Sequence, residues 1–80
     1  MPKSVYSREY AHFLKLLREA RQDAGITQRQ LAKKMKYGQS MISKCERGER
    51  RLDVIELRKW CKAIGVSFSA FTSTLDRDLG

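Results

Sequence analysis

Residues 25–48, GITQRQLAKKMKYGQSMISKCERG, decide the fold of this chain. They contain two short helical patterns separated by a turn of about three residues, Lys36 to Gly38. The first pattern begins at Thr27, which forms a T-x-x-Q capping box with Gln30. The second ends at Gly48, since glycine is typical of the position just past a helix. Two short helices joined by so tight a turn indicate a helix-turn-helix at about residues 27–47.

One helix is predicted before this segment and two are predicted after it. The first extends from about Ser7 to Ala24, with apolar residues at three- and four-residue spacing along one face. The fourth begins at Asp53 and the fifth at Ser67, both favourable N-cap residues. No strand pattern competes with these helices in the sequence. The expected fold is therefore all-α with five helices, and helices 2 and 3 form the helix-turn-helix.

A chain of 80 residues has room for one domain, so we expect a single helix-turn-helix domain over residues 1–80. We expect a flexible arm at residues 1–6 and a polar tail at residues 76–80 that frays. His12 is expected at the surface without a partner. The first residues lack the apolar stretch of a signal peptide, and no apolar run approaches the roughly 18 residues of a spanning helix. We therefore expect a cytoplasmic protein with no membrane partner.

The positive charge is concentrated in the first part of the chain. Residues 1–51 contain 13 Lys and Arg against 5 Asp and Glu, whereas residues 52–80 contain 4 of each class. The whole net charge of +8 therefore lies in the first part. Such one-sided charge is typical of a protein that binds a polyanion, and a basic solvated face without a partner is the alternative.

The chemistry of an enzyme or of a metal site is not apparent. Cys45 and Cys61 lack the spacing of a zinc site or of a disulfide framework, so we expect two buried free thiols. The sequence contains no paired acid and base, nucleophile constellation or phosphate loop. We therefore expect a protein that is not an enzyme and needs no metal and no cofactor.

Four short motifs along the chain match a known pattern. They are LRxxR at Leu17, Arg18 and Arg21, G-hydrophobic-TQ at residues 25–28, LA at Leu31 and Ala32, and QSxIS followed by ERG at residues 39–48. In these motifs the sequence resembles the lambda-repressor and Cro-like (Xre-type) helix-turn-helix family. The resemblance covers about 50 residues, because residues 53–66 also look like the family's fourth helix. It implies a lambda-repressor-like DNA-binding domain and a transcriptional regulator, expected to be a repressor, of a bacterial, phage or mobile-element operator.

Two departures from the family pattern concern the second half of the motif. Lys36, Tyr37 and Gly38 replace the usual glycine, aliphatic residue and serine of the turn, so the cap of helix 3 is weaker. Cys45 stands where the family has a larger apolar residue. The smaller side chain leaves slack in the packing unless another side chain fills the space.

The third helix has one polar face. Residues 39–47, wound at about 100° per residue, direct Ile42 and Cys45 toward the core and a polar set in the opposite direction. The side chains predicted to contact bases are Gln39, Ser40, Ser43 and Lys44. A glutamine amide pairs with adenine and a lysine donates to guanine, so both suit the major groove.

Phosphate contacts are expected at the start of helix 2 and after helix 3. The free amides of a helix N-terminus attract anions, and in resembling proteins the glutamine at the position of Gln28 contacts phosphate there. The predicted phosphate contacts are Gln28, Arg29, Lys36, Tyr37, Arg47, Arg50 and Arg51. For each long basic side chain, a solvated charge is the alternative.

Arg21 and Glu46 are predicted to have a structural role. Both lie toward the inward side of their helices, and in resembling proteins this arginine and this glutamate pair. We expect a structural ion pair between them that holds helix 3 against helix 1.

The expected partners are double-stranded DNA and a second copy of the chain. One short helix contacts too few bases to be selective alone, so we expect a homodimer on two half-sites about 34 Å apart. Ile55, Arg58 and the fifth helix are candidates for the dimer surface. The alternative is an antitoxin-type module that binds a partner protein and uses DNA only for autoregulation.

Overall fold

The computed structural model describes residues 7–80 and contains five α-helices in this part of the chain. They are α1 (Arg8–Asp23), α2 (Gln28–Met35), α3 (Gln39–Glu46), α4 (Val54–Ile64) and α5 (Phe68–Leu79). The described residues include no strand, which confirms the prediction of an all-α fold with five helices. None of the five helices is both long enough and apolar enough to span a bilayer. The arm expected at residues 1–6 lies outside the described residues.

Capping side chains fix where α2 and α4 begin. Thr27 and Gln30 form a reciprocal capping box at α2, and Asp53 and Glu56 form another at α4. In each box, two backbone N–H groups that lack a partner within the helix gain a side-chain acceptor. The N-cap of α3 is Gly38, which has no side chain to cap the helix. The position of α3 therefore depends on its packing rather than on its cap.

The turn between α2 and α3 places a non-glycine residue in the left-handed region. Lys36 has φ 61° and ψ 38°, and it is the described non-glycine residue with positive φ. Its N–H donates to the carbonyl of Lys33, and the N–H of Tyr37 donates to the carbonyl of Ala32 at 2.9 Å. These bonds satisfy carbonyls at the end of α2 and offset the strain of a lysine at this position.

The core contains one cluster of apolar side chains, to which every helix contributes. The largest fully buried side chains are Trp60, Leu17, Leu31, Ile42, Cys45 and Cys61. Helix α2 packs against both α3 and α4, while α1 packs against α3 and α5. The two cysteines are buried free thiols, as the sequence predicted, and burial raises the pKa of Cys61 to about 11. Each helix of the helix-turn-helix thus packs against another part of the domain, α2 against α4 and α3 against α1.

The last helix continues through the polar residues at the end of the chain. Helix α5 extends to Leu79, so the residues of the expected polar tail are helical as far as Leu79. Leu75 and Leu79 extend the apolar stripe of α5 and line a groove against α1 and α4. His12 also has a partner, contrary to expectation, because its Nε2 lies 2.9 Å from Oδ2 of Asp78. The contact between His12 and Asp78 joins the last turn of α5 to α1.

Candidate nucleic-acid interface

Helix α3 has one buried side and one polar side. Ile42 and Cys45 are fully buried and Glu46 is 4% exposed, on the side that faces the other helices. The side chains predicted to contact bases lie on the opposite side, where Gln39, Ser40 and Lys44 are exposed and Ser43 is partly buried. The structure thus presents these four polar residues together along a single helix face.

A buried ion pair connects α3 to α1. Nε of Arg21 donates to Oε2 of Glu46 at 2.6 Å, and Nη2 donates to Oε1 at 3.1 Å. The two side chains are only 9% and 3% exposed. Nη1 of Arg21 donates to the carbonyl oxygen of Ile26 at 2.8 Å, so the guanidinium also holds the loop before α2. A two-donor contact of this kind fixes the relative orientation of the two helices.

Gln28, which is partly buried, is hydrogen-bonded to the same ion pair. Its Nε2 donates to Oε1 of Glu46 at 2.9 Å, which joins the first turn of α2 to the end of α3. Glu46 therefore accepts hydrogen bonds from two helices at once. The second N–H of the Gln28 amide and the first backbone N–H groups of α2 remain suited to an anion outside the protein.

The loop after α3 folds back along the helix. Gly48 has φ 81°, and the N–H of Glu49 donates to the carbonyl of Lys44 at 2.9 Å. Arg47 then meets Glu49 through two bonds, from Nε to Oε2 at 2.8 Å and from Nη2 to Oε1 at 3.2 Å. Its Nη1 donates to Oγ of Ser43. The hydrogen bond from Arg47 lowers the pKa of Glu49, so this carboxylate is ionised at neutral pH.

Arg50 connects the end of α3 to the start of α4. Its Nη2 donates to Oε2 of Glu56 at 2.9 Å and its Nη1 donates to Oε1 at 3.2 Å. The same Nη1 lies 3.8 Å from Sγ of Cys45, so Arg50 covers the small side chain that departs from the family pattern. The hydrogen bond from Arg50 lowers the pKa of Glu56. The geometry gives Arg50 a role inside the fold.

Arg51 and Tyr10 form the neighbouring contact between the α3–α4 loop and α1. The guanidinium carbon of Arg51 lies 4.5 Å from the ring centre of Tyr10, in cation–π geometry. The hydroxyl of Tyr10 accepts the N–H of Leu52 at 3.1 Å. Arg51 is nevertheless exposed, so its charge reaches solvent beside α1.

The remaining predicted phosphate contacts lie on two separate surfaces. Arg29 and Tyr37 line a cavity of about 460 Å³ that also includes Gln39, the first residue of α3. Lys36 lines a different cavity, of about 390 Å³. Its lysine neighbours there are Lys34, Lys59 and Lys62. The structure therefore brings Arg29 and Tyr37 to the start of α3, and it places Lys36 against α4.

Three hydrogen-bonded contacts of this surface were not predicted from the sequence. They are the bonds from Gln28 to Glu46, from Arg47 to Glu49, and from Arg50 to Glu56. The pairs on the loop after α3 have opposite charges within six positions of each other, which is a weak signal. Within residues 7–80, no group of histidine, cysteine, aspartate or glutamate side chains is arranged to hold a metal ion.

Comparisons with known proteins show the family to which the chain belongs. The helix-turn-helix family model matches residues 17–71. A solved XRE-family like protein from Pseudomonas syringae pv. tomato str. DC3000 is 46% identical, with a TM-score of 0.86. The match covers 90% of this chain and 88% of that one. The comparison with curated proteins found no significant match.

A restriction-modification controller protein, C.Esp1396I, has a similar structure. The wild-type protein is 27% identical with a TM-score of 0.82, over 92% of this chain and 97% of that one. A second structure of the controller is a tetramer in complex with its natural 35 base-pair operator. It is 28% identical with a TM-score of 0.80, over 90% of this chain and 95% of that one. The chain belongs to the XRE-type, lambda-repressor-like helix-turn-helix family.

Proposed function

We propose that this protein is a sequence-specific transcriptional regulator that places α3 in the major groove of its operator. The observation that carries the proposal is the polar face of α3, with Gln39, Ser40 and Lys44 exposed while the opposite side of the helix is buried. The major groove of B-form DNA admits an α-helix, and each base pair presents a distinct pattern of donors and acceptors there.

The four outward side chains have the chemistry for base contact. Gln39 suits adenine and Lys44 suits guanine, and each good pair discriminates by about 1 to 3 kcal/mol. Oγ of Ser43 accepts a hydrogen bond from Arg47, so its own O–H is left to donate to a base acceptor. Ser40, with one donor and two lone pairs, suits either kind of partner.

Phosphate contact is assigned first to the N-terminal turn of α2 and its neighbours. Gln28 is anchored there by Glu46, and Arg29 and Tyr37 lie beside the first residue of α3. Such contacts fix the register of the protein on the duplex. Among the other predicted contacts, Arg51 is exposed beside α1, and Lys36 lies on the face of α2 and α4. Arg47 and Arg50 each donate two hydrogen bonds to a carboxylate, so a phosphate competes there with Glu49 and Glu56.

The proposed regulator is a homodimer. Its dimer surface is the apolar patch at the start of α4 and the end of α5. Val54, Ile55 and Leu79 are 62%, 60% and 41% exposed and are the large hydrophobic residues exposed within residues 7–80. Val54 and Leu79 line a groove of about 390 Å³. Residues 52–80 carry equal numbers of acidic and basic residues, so two copies meet here without net repulsion.

In the proposed function, dimerisation determines the spacing of the two half-sites and the effect on transcription. Two copies of α3 on successive turns of the duplex contact two half-sites about 34 Å apart and double the number of bases in contact. A dimer bound across a promoter excludes other proteins from that DNA, so we propose repression. An antitoxin-type function is the second candidate, because the same apolar patch suits a partner protein.

Selection of bound duplexes from a random DNA pool tests the proposal. A pseudo-palindromic motif should be enriched by the wild-type protein, and gel shift should show tighter binding to it than to bulk DNA. No preference for any sequence over bulk DNA would contradict the proposal. Co-purification with one stoichiometric partner protein, combined with wild-type DNA affinity after Gln39→Ala and Lys44→Ala, would favour the antitoxin-type function instead.

A further inference from the structure

Glu49 places a negative charge on the basic face beside α3. Its carboxylate is bonded to Arg47 and also feels the charge of Lys44, one of the proposed base contacts. The backbone determines this position, because Gly48 adopts φ 81° and the N–H of Glu49 donates to the carbonyl of Lys44 at 2.9 Å. The side chains of Arg47 and Glu49 are 53% and 56% exposed, so the pair is accessible from solvent.

The contact between Glu49 and Arg47 has the geometry of a guanidinium bound to an anion. Two nitrogen atoms of Arg47 donate to the two oxygens of one carboxylate, at 2.8 and 3.2 Å. A phosphate group is recognised by arginine through the same two parallel bonds. The third nitrogen, Nη1, donates to Oγ of Ser43. A DNA phosphate that binds the Nε and Nη2 edge of Arg47 therefore has to displace Glu49.

We propose that Glu49 is a specificity-determining residue that withholds Arg47 from the phosphates of DNA. This inference rests on the proposed DNA-binding function. Binding that does not depend on sequence comes almost entirely from basic side chains that neutralise phosphates and release counterions. An arginine already neutralised by Glu49 adds little to that part of the affinity, while the base contacts of Gln39 and Lys44 are unchanged. Phosphate contacts are common to operator and bulk DNA, so through this contact Glu49 lowers both affinities alike, and its effect on the preference between sequences comes through Ser43.

Glu49 also acts on Ser43 through Arg47. With Arg47 held along α3, its Nη1 stays on Oγ of Ser43, and the hydroxyl proton of Ser43 points to another acceptor. Release of Arg47 frees this hydroxyl to act as donor or acceptor. Loss of Glu49 is thus expected to raise the affinity for every sequence and to reduce the discrimination at the base that Ser43 contacts.

The test is the salt dependence of DNA binding by Glu49→Gln, measured by fluorescence anisotropy on a random-sequence duplex and on the selected operator. One additional phosphate contact steepens the plot of log affinity against log salt by about 0.9. On random duplex, the ratio of the variant's affinity to the wild-type affinity should therefore fall by about threefold between about 50 and about 200 mM salt. The ratio of operator to random affinity should fall.

Two control variants separate this inference from a simple effect of charge. Asp76→Asn removes the same charge from an exposed position on α5 and should leave the salt slope near that of wild type. In an Arg47→Ala background, Glu49→Gln should have no further effect. A Glu49→Gln result equal to that of Asp76→Asn, or one that persists without Arg47, would overturn the inference.

The outcome for the wild-type protein distinguishes the two proposals. Wild-type binding that prefers an operator, together with an unchanged salt slope in Glu49→Gln, overturns the role of Glu49 alone. Wild-type protein that prefers no sequence overturns the proposed function and the inference together. Thermal unfolding of Glu49→Gln should match that of wild type, because the pair with Arg47 is solvent-exposed.

Discussion

Removal of the Glu46 carboxylate should destabilise the domain severely. In the structure this carboxylate accepts two bonds from Arg21, at 2.6 and 3.1 Å, and one from Gln28 at 2.9 Å. Glu46→Ala leaves the guanidinium of Arg21, whose side chain is 9% exposed, without its counter-charge. The bond from Arg21 to the carbonyl of Ile26 remains but cannot balance a buried positive charge.

The expected loss is large compared with the total stability. Breaking one partner of a buried ion pair costs about 3 to 5 kcal/mol. At about 0.05 to 0.15 kcal/mol per residue, a chain of 80 residues has a free energy of unfolding of about 4 to 12 kcal/mol. Glu46→Ala should therefore lose about a quarter or more of this free energy. Urea unfolding followed by the fluorescence of Trp60, which is fully buried, measures the loss directly.

A double variant distinguishes the loss of a charge partner from the loss of a side chain. Arg21→Met combined with Glu46→Leu replaces both charges by apolar groups of similar length, so no buried charge is left unpaired. This variant should be more stable than Glu46→Ala and should still bind DNA less well, because Gln28 loses its anchor. A cost below about 1 kcal/mol for Glu46→Ala, or a double variant less stable than the single one, would refute the reasoning.

Two further predictions concern the fold and the assembly. Glu56→Gln keeps an acceptor for the capping box but removes the charge that pairs with Arg50. The folded-state pKa of Glu56 is lowered from 4.5. Its contribution to the free energy of unfolding is therefore present above about pH 4.5 and is lost as the pH falls through the folded pKa. The variant should therefore be less stable than wild type in urea at about pH 7, and this difference in stability should disappear on acidification. A difference in stability that increased on acidification would contradict the prediction. Ile55→Glu should convert a dimer to a monomer in sedimentation while circular dichroism stays unchanged, and a persistent dimer would show that the interface lies elsewhere.

Much of the fold could be predicted because its signals are local. The capping boxes at Thr27 and Asp53 involve residues three positions apart, so they are visible in the sequence and recur in the structure. The buried side of α3 follows from helical geometry alone, since Ile42 and Cys45 lie within about 60° of each other on the helical wheel. The same geometry predicts which polar side chains face outward.

The contacts that escaped prediction depend on distant or irregular backbone. The last turn of α5 includes Asp78, whose partner His12 lies 66 positions earlier in the chain. The partner of Arg47 depends on the left-handed turn at Gly48, which directs Glu49 back along α3. Composition shows that a long basic side chain is present, but only the folded backbone determines whether a carboxylate lies within its reach.

Base-by-base substitution of the selected operator tests the central claim most directly. Affinities of wild type and of Gln39→Ala should be measured for every single base-pair change in the site. The account predicts that Gln39→Ala loses discrimination at one base pair in each half-site, by about 1 to 3 kcal/mol, and keeps it elsewhere. Lys44→Ala should do the same at a different base pair. Uniform weakening across all positions by both variants would contradict the claim that α3 determines the sequence bound.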